Sequence, residues 1–414
     1  MILLAHPIGN ANVRAVLRAL DDAGLLAKFV TALGWSDASP LVQGLPPNLR
    51  SQMARRSYEL PHYQIKVFPV REIVRLFAQR MGQRWLVEHE HGWASIDRVW
   101  REIDKFAADS LRKSHQKQGI HGVYAYEDCA ARLFETAEEI GVRRIYDLPI
   151  AYWQTVQRLL REEAQRFPEW EPTLGGTRDS EEKLARKTRE LDLAELVICP
   201  SAFVLDSLPE SARASKSCVV APFGSPSLEQ AERAERKSNE GPMRVLFAGA
   251  LTQRKGLADL FAAMKLVASR EVELVVMGSL LRPLAWYREQ FSGFIYEPPR
   301  PHRDVLRLMR TCDVLVLPSI VEGRALVQQE AMACGLPLIV TRNAGGDDLI
   351  AEGETGFVVP IRAPEAIAEK ISWCATNRAS IPGMAIAAQR RASELTWHGY
   401  GEKVVAAIRS LTGE

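Results

Sequence analysis

Short apolar runs that end in small or polar residues, separated by amphipathic helical stretches, dominate this sequence and restrict it to one fold class. In the first half, "MILLAHP" (1–7), "GVYAYE" (122–127), "RRIYDLP" (143–149), "LVICPS" (196–201) and "CVVAPFG" (218–224) read as strands. In the second, "MRVLFAG" (243–249), "VELVVMG" (272–278), "VLVLPS" (314–319) and "PLIVT" (337–341) do the same. Strands alternating with helices predict parallel sheets covered by helices, an α/β chain of Rossmann-like, doubly wound design. Ligands of open α/β sheets bind at the carboxyl ends of the strands, so those ends bound the search for a site.

Two such sheets are expected. A chain of 414 residues exceeds what one core usually holds. "AELVICPS" (194–201) and "CDVLVLPS" (312–319) align position by position, each an acid, an apolar run and Pro-Ser. The polar stretch "GSPSLEQAERAERKSNEGP" (224–242) reads as a linker. The expected domains are 1–225 and 243–395, joined by 226–242. The closing helix, 396–414, is expected to cross back onto the first domain.

Composition excludes several functions. A net charge of +2 gives no global case for nucleic-acid binding. The six cysteines (129, 199, 218, 312, 334, 374) are scattered without a CxxC pair, which suits a reducing compartment and argues against a zinc site. "MILLAHPIGN" is too short an apolar run for a signal peptide or a membrane span. A cytoplasmic protein is the expectation. The histidines of "EHEHGW" (88–93) are two apart and share no helix face, so no metal site is read there.

The second half carries the chemistry. In "FAGALTQRKGLADLFAAMKLV" (247–267), Arg254 and Lys255 occupy a strand-to-helix loop, where free N–H groups and the helix dipole favour an anion. A solvated basic turn is the plainer reading. In "SIVEGRALVQQEAMACGLPLIV" (319–340), Glu322 follows a strand and Glu330 sits in an apolar helix. On one continuous helix they would lie about 12 Å apart, roughly the span of a diphosphate linking two polyhydroxylated rings.

E-x7-E after a Pro-Ser strand, the Lys-Gly loop and "TRNAGGDDLIAEGETGFVVP" resemble glycosyltransferase family 4, over most of residues 243–395 in order and spacing. "HPIGNANVRAVLRALDDAGLL" and "YDLPIAYW" extend the resemblance into the first half. It implies the GT-B fold, two Rossmann-like domains facing across a cleft. It also implies transfer of a hexose-type sugar from a nucleotide diphosphate sugar to a hydroxyl acceptor, with retention of configuration and no cofactor or metal. Carried over, Glu322 holds the donor sugar, Glu330 the ribose, and the backbone of Gly323, Arg324, Ala325 and Leu326 the diphosphate. Lys255 and Arg254 neutralise the leaving group, while Gly9 and Gly249 line the donor. Ala250 departs from the arginine usual after that glycine, and Arg254 is the candidate replacement. Arg324 stands where the family has an uncharged residue, as a phosphate ligand or a solvated helix start. Asp347 and Asp348 read as N-terminal acids of a helix. The absence of a D-x-D sequence agrees with metal-free transfer.

On the acceptor side, His6, Asn10, Asn12 and Arg14 gather after the first strand, and each alone is equally well a hydrogen-bonded turn. Asp147 and Tyr152 end another strand, Asp147 as an orienter of the acceptor hydroxyl or a cap. The acceptor expected is a glycan or lipid-linked glycan, as in cell-surface polysaccharide synthesis. Residues 50–84 hold eight Lys or Arg against two Glu. A helix there packing Val70, Ile73, Val74, Phe77 and Met81 on the core is favoured, and contact with an anionic membrane, at the inner face, is the sharper alternative. A sugar-nucleotide epimerase, a phosphorylase or a non-catalytic partner subunit are the competing readings.

Overall fold

A computed structural model describes residues 1–36, 56–226 and 241–413. The first domain's strands are β1 (Ile2–Ala5), β2 (Leu26–Thr31), β3 (Trp35–Ser36), β4 (Ser57–Tyr58), β5 (Ile65–Val67), β6 (Gly122–Tyr126), β7 (Arg143–Asp147), β8 (Leu196–Cys199) and β9 (Ser217–Val220). Seven form one parallel sheet in the order β5-β2-β1-β6-β7-β8-β9, and β3 pairs with β4. The second domain follows with β10 (Met243–Ala248), β11 (Val272–Met277), β12 (Phe294–Glu297), β13 (Val314–Leu317), β14 (Leu338–Thr341) and β15 (Gly356–Val359), in the order β12-β11-β10-β13-β14-β15. Helices cover both faces of each sheet, so central strands such as β1, β6, β8 and β13 are buried throughout and read as unbroken apolar runs. β2, β5 and β15 escape the sequence pattern because Lys28 and Lys66 interrupt two of them and a GETG turn abuts the third.

Strand order fixes where a site can form. β1 lies between β2 and β6, and β10 between β11 and β13. Each is the point at which the order reverses, where the loops beyond the strand part and leave a crevice. Those two loops are 6–10 and 249–256.

The domains exchange segments in both directions. The terminal helix Trp397–Thr412 lies along helix Ala11–Asp22 and places Tyr400, Val404 and Ile408 in the first domain's core. Gly401 permits the approach, since a Cβ there would stand 2.6 Å from the Cβ of Ala19. Conversely, the 3-10 turn Pro168–Thr173 buries Trp170 in the second domain's core, its ring 4.8 Å from Trp286 and 5.8 Å from Tyr287.

Helix Val70–Arg80 corrects the expectation of a core-packing apolar face. Val70, Ile73, Phe77 and Met81 point to solvent, while Glu72 is fully buried between Arg56 and Arg75 at 2.8 and 2.6 Å. Periodicity groups residues on a face without saying which face turns inward. Here an ion-pair cluster takes the inner side. Residues 50–55 of the same basic stretch lie outside the described residues, as do 227–240 of the expected linker.

Candidate active site

After β10 the backbone turns at Gly249 (φ 147°), where a Cβ would press to 2.8 Å on Lys255 Cε. Glycine there clears the path of the lysine side chain. The 3-10 turn Gln253–Lys255 follows, with Thr252 capping it by accepting from the Arg254 N–H at 3.1 Å. Gly256 then takes the left-handed conformation (φ 73°), and a Cβ there would strike the Pro318 carbonyl oxygen at 2.0 Å. This is the physical content of the Lys-Gly pair. The glycine lets the loop lie directly on the Pro-Ser end of β13.

That contact brings the charges together. Lys255 Nζ is 2.5 Å from Glu322 Oε1, and Arg254 Nη1 is 2.9 Å from Glu322 Oε2. Arg254 Nη1 also donates to the Val321 carbonyl at 3.1 Å. All three polar groups are largely withdrawn from water. Burial by itself would push the Glu322 carboxyl up, but the two cations outweigh it and hold the group below its usual range.

The turn is braced from the first domain. Glu163 is fully buried, accepts from Gln253 Nε2 at 2.7 Å and pairs with Arg362. Gln253 also donates to Asp259 at 2.8 Å and accepts from the Ala258 N–H at 2.8 Å. Thr252 Oγ1 donates to the Thr173 carbonyl at 2.7 Å. These bracing residues are invisible in the sequence, because Glu163 acts across ninety positions of chain.

Lys255 also lines a cavity of about 350 Å³ with Gly249, Ala325, Leu326, Glu330, Arg300 and His302. Helix Leu326–Ala333 points its start into this space, and the Ala325 N–H is already given to the Ala344 carbonyl at 3.2 Å. Glu330 meets His302 Nε2 at 3.0 Å, and the carboxylate raises the imidazole's pKa. Gly323 faces the other domain: a Cβ would stand 1.8 Å from the Pro149 carbonyl oxygen, and Ser201 Oγ donates to the Gly323 carbonyl at 2.7 Å. The Glu322 turn therefore sits at the domain boundary.

Arg324 is neither exposed nor directed at this cavity. Its buried guanidinium grips Asp348 at 2.7 and 3.1 Å, Gln329 Oε1 at 3.1 Å and the Gly345 carbonyl at 3.1 Å. That corrects the reading of a solvated helix start. Asp348 consequently serves as the partner of Arg324.

The first-domain candidates disperse. His6 is packed edge-on against Trp100 and Tyr126 at 5.0 and 4.6 Å, and its Nδ1 accepts from the Ile8 N–H at 2.9 Å. Burial drives its pKa down to about 3, so the ring is neutral. Gly9 makes room for Tyr58, whose Oη a Cβ would meet at 2.2 Å. Asn10 is the exposed cap position of helix Ala11–Asp22, and Asn12 is buried within it. Arg14 turns back to the Gly9 carbonyl at 3.2 Å and lies over the Tyr58 ring. Asp147 does not face the cleft: it is buried with Tyr124 Oη at 2.5 Å and Tyr400 Oη at 3.4 Å. Tyr152 is buried too, its Oη 3.4 Å from Thr188 Oγ1.

Sequence reading missed the acids after β6. Glu127 pairs with Lys187 at 3.2 Å, and Asp128 with Arg186 at 2.9 Å. Burial lifts the Glu127 pKa to about 7 against the pull of Lys187. Two acids at the carboxyl end of a strand were the available signal. His89, Glu90 and Asp179 come within 4.8 Å of one another, but Lys183 and Ser180 already bond the two carboxylates.

Two Rossmann-type parallel sheets, with a cation–carboxylate cluster at the boundary between them, define a protein of the GT-B fold. Among solved structures, sucrose-phosphate synthase of Thermosynechococcus elongatus matches at TM-score 0.67 and 18% identity, covering 100% of this chain and 99% of that one. HepE of Anabaena, in complex with UDP and glucose, matches at 0.60 and 16%, covering 99% of each. Residues 229–391 match the family model described as glycosyl transferases group 1. D-inositol 3-phosphate glycosyltransferase of Paenarthrobacter aurescens is 24% identical over 87% of this chain and 83% of its own. The protein of that name from Corynebacterium urealyticum is 31% identical over 113 residues, only 27% of either chain. Residues 229–391 thus resemble glycosyl transferases group 1, and the whole chain shares the two-domain fold of the solved neighbours.

Proposed function

We propose that the chain moves a hexose-type sugar from a nucleotide diphosphate sugar to a hydroxyl of a glycan or lipid-linked glycan, in the cytoplasm or at the inner face of the membrane, without a metal. The observation that carries this reading is the Lys255–Glu322–Arg254 cluster beside the cavity of Gly249, Leu326 and Glu330.

The diphosphate lies against Lys255 and the start of helix Leu326–Ala333, and Glu330 takes the ribose hydroxyls in place of His302. The sugar reaches toward Glu322 at the domain boundary. As the bond from the anomeric carbon to the diphosphate oxygen breaks, negative charge grows on the leaving group and positive charge on the sugar. Lys255 and Arg254 stabilise the first, and the Glu322 carboxylate the second. The acceptor oxygen bonds to the anomeric carbon on the same face, and its proton passes to the departing phosphate. Arg254, beside Glu322, supplies the cation missing at Ala250. Cations preset in a dry site do the charge neutralisation that a divalent ion performs elsewhere.

A thermal-shift screen of UDP-, GDP-, ADP- and CMP-sugars tests the donor half, since a ligand of the folded state raises the melting temperature by mass action. One strong stabiliser is expected. Absence of any shift would sink the reading.

A further inference from the structure

Helix Val70–Arg80 presents its apolar row to solvent. Val70, Ile73, Phe77 and Met81, spaced three or four apart, are 66%, 50%, 66% and 58% exposed. Trp85, in the turn that follows the helix, and Trp93, under the Arg71 guanidinium, are exposed as well. An apolar surface of this extent on a folded domain marks a contact with something else. The inner side is fixed: Glu72 is clamped by Arg56 and Arg75, Ala78 is buried, and Arg71 lies over Trp93 and pairs with Glu102 at 3.3 Å. The row therefore cannot roll inward without breaking a buried ion-pair cluster.

Charge narrows the occupant. Lys66, Arg80 and Arg84 are exposed beside the row and have no carboxylate partner among the described residues. Between Lys66 and Val87 the only acid is Glu72, which is buried and paired. A second copy of this surface would set arginine against arginine. Cations around an apolar row, with tryptophans at its margin, instead match the interface of an anionic bilayer.

We infer that residues 66–85 dock this chain on anionic lipid, with Val70, Ile73, Phe77 and Met81 entering the headgroup boundary and Lys66, Arg80 and Arg84 meeting lipid phosphates. Helix Val70–Arg80 leaves the sheet just beyond β5, at the carboxyl edge from which loop 6–10 also emerges. The docked edge thus borders the cleft. Resting on the transferase reading, this assigns the acceptor to the class of lipid-borne hydroxyls.

The test is co-sedimentation of the full chain with vesicles of phosphatidylglycerol and phosphatidylcholine, against phosphatidylcholine alone. Binding about ten-fold stronger to the anionic vesicles, weakened by salt, is expected. Ile73→Glu with Phe77→Glu should abolish it, and Arg80→Glu with Arg84→Glu, which touches no buried group, should weaken it several-fold. Both variants should keep the thermal shift given by the donor sugar. Equal binding to both vesicles, no binding to either, or vesicle binding unchanged in both variants would overturn the inference. So would a wild-type dimer that the first variant converts to a monomer. Loss of the donor shift with vesicle binding intact would instead remove the transferase reading and leave the docking.

Discussion

Lys255 Nζ and Glu322 Oε1 are 2.5 Å apart, although the two residues belong to loops following different strands, β10 and β13. Glycines at 249 and 256 make this meeting sterically possible. Glu322→Gln keeps the shape and removes the charge. Turnover should fall by about 10²–10³-fold, the scale for losing one preset electrostatic group at a developing charge. The donor-induced thermal shift should persist. Turnover within about two-fold of wild type would discard Glu322 as a catalytic group. The carboxyl's pKa is lowered on folding, so its pairing adds stability above the usual glutamate range and loses it as pH falls through the lowered value. Acid unfolding of Glu322→Gln should therefore be shallower than that of wild type.

Trp170 belongs to the first half of the chain but is packed in the second domain's core. Trp170→Ala should destabilise the protein by about 3–5 kcal/mol, through lost burial and the cavity left among Phe261, Trp286 and Tyr287. Urea unfolding measures this. A fragment beginning at Met243 lacks the indole, and should melt well below the full chain. A loss under about 1 kcal/mol would show that the core closes without it.

How much of this is legible in the sequence depends on whether a residue's partner is near in chain or only in space. The second-domain cluster is legible because Lys255 and Glu322 both sit at strand ends that the apolar runs announce. Asp147 fails for a geometric reason. Adjacent strand residues point to opposite faces, so Tyr146 joins one core while Asp147 turns to Tyr124 and Tyr400 in the other. Tyr400 arrives from the crossed-over terminal helix, which no local pattern ties to β7. The outward apolar row of helix Val70–Arg80 fails for another reason: periodicity marks a face without its direction, and Arg56 and Arg75 draw Glu72 to the inner side.

Arg324 should act on stability rather than on the donor. Arg324→Met strands Asp348, Gln329 and the Gly345 carbonyl together, and should cost about 3 kcal/mol. The urea midpoint reports this, and the donor-induced thermal shift should stay unchanged. An unaltered midpoint with the donor shift abolished would make Arg324 a ligand after all.

Asp147 links the terminal helix to proton concentration. Burial raises its pKa from 3.8 to about 7, with the hydroxyls of Tyr124 and Tyr400 opposing the rise. The folded protein therefore holds a proton that the unfolded chain releases near 3.8. Across that window the folded state binds more protons, so stability declines as pH rises, and the loss is complete above the folded value. At about 1.4 kcal/mol per pH unit, the cost is on the order of a few kcal/mol. Asp147→Asn has no proton to lose and can still accept from Tyr124. Its melting temperature relative to wild type should rise on going from pH about 5 to about 8. A difference that is the same at both values would mean that Asp147 stays ionised in the folded protein, held by the two tyrosines alone.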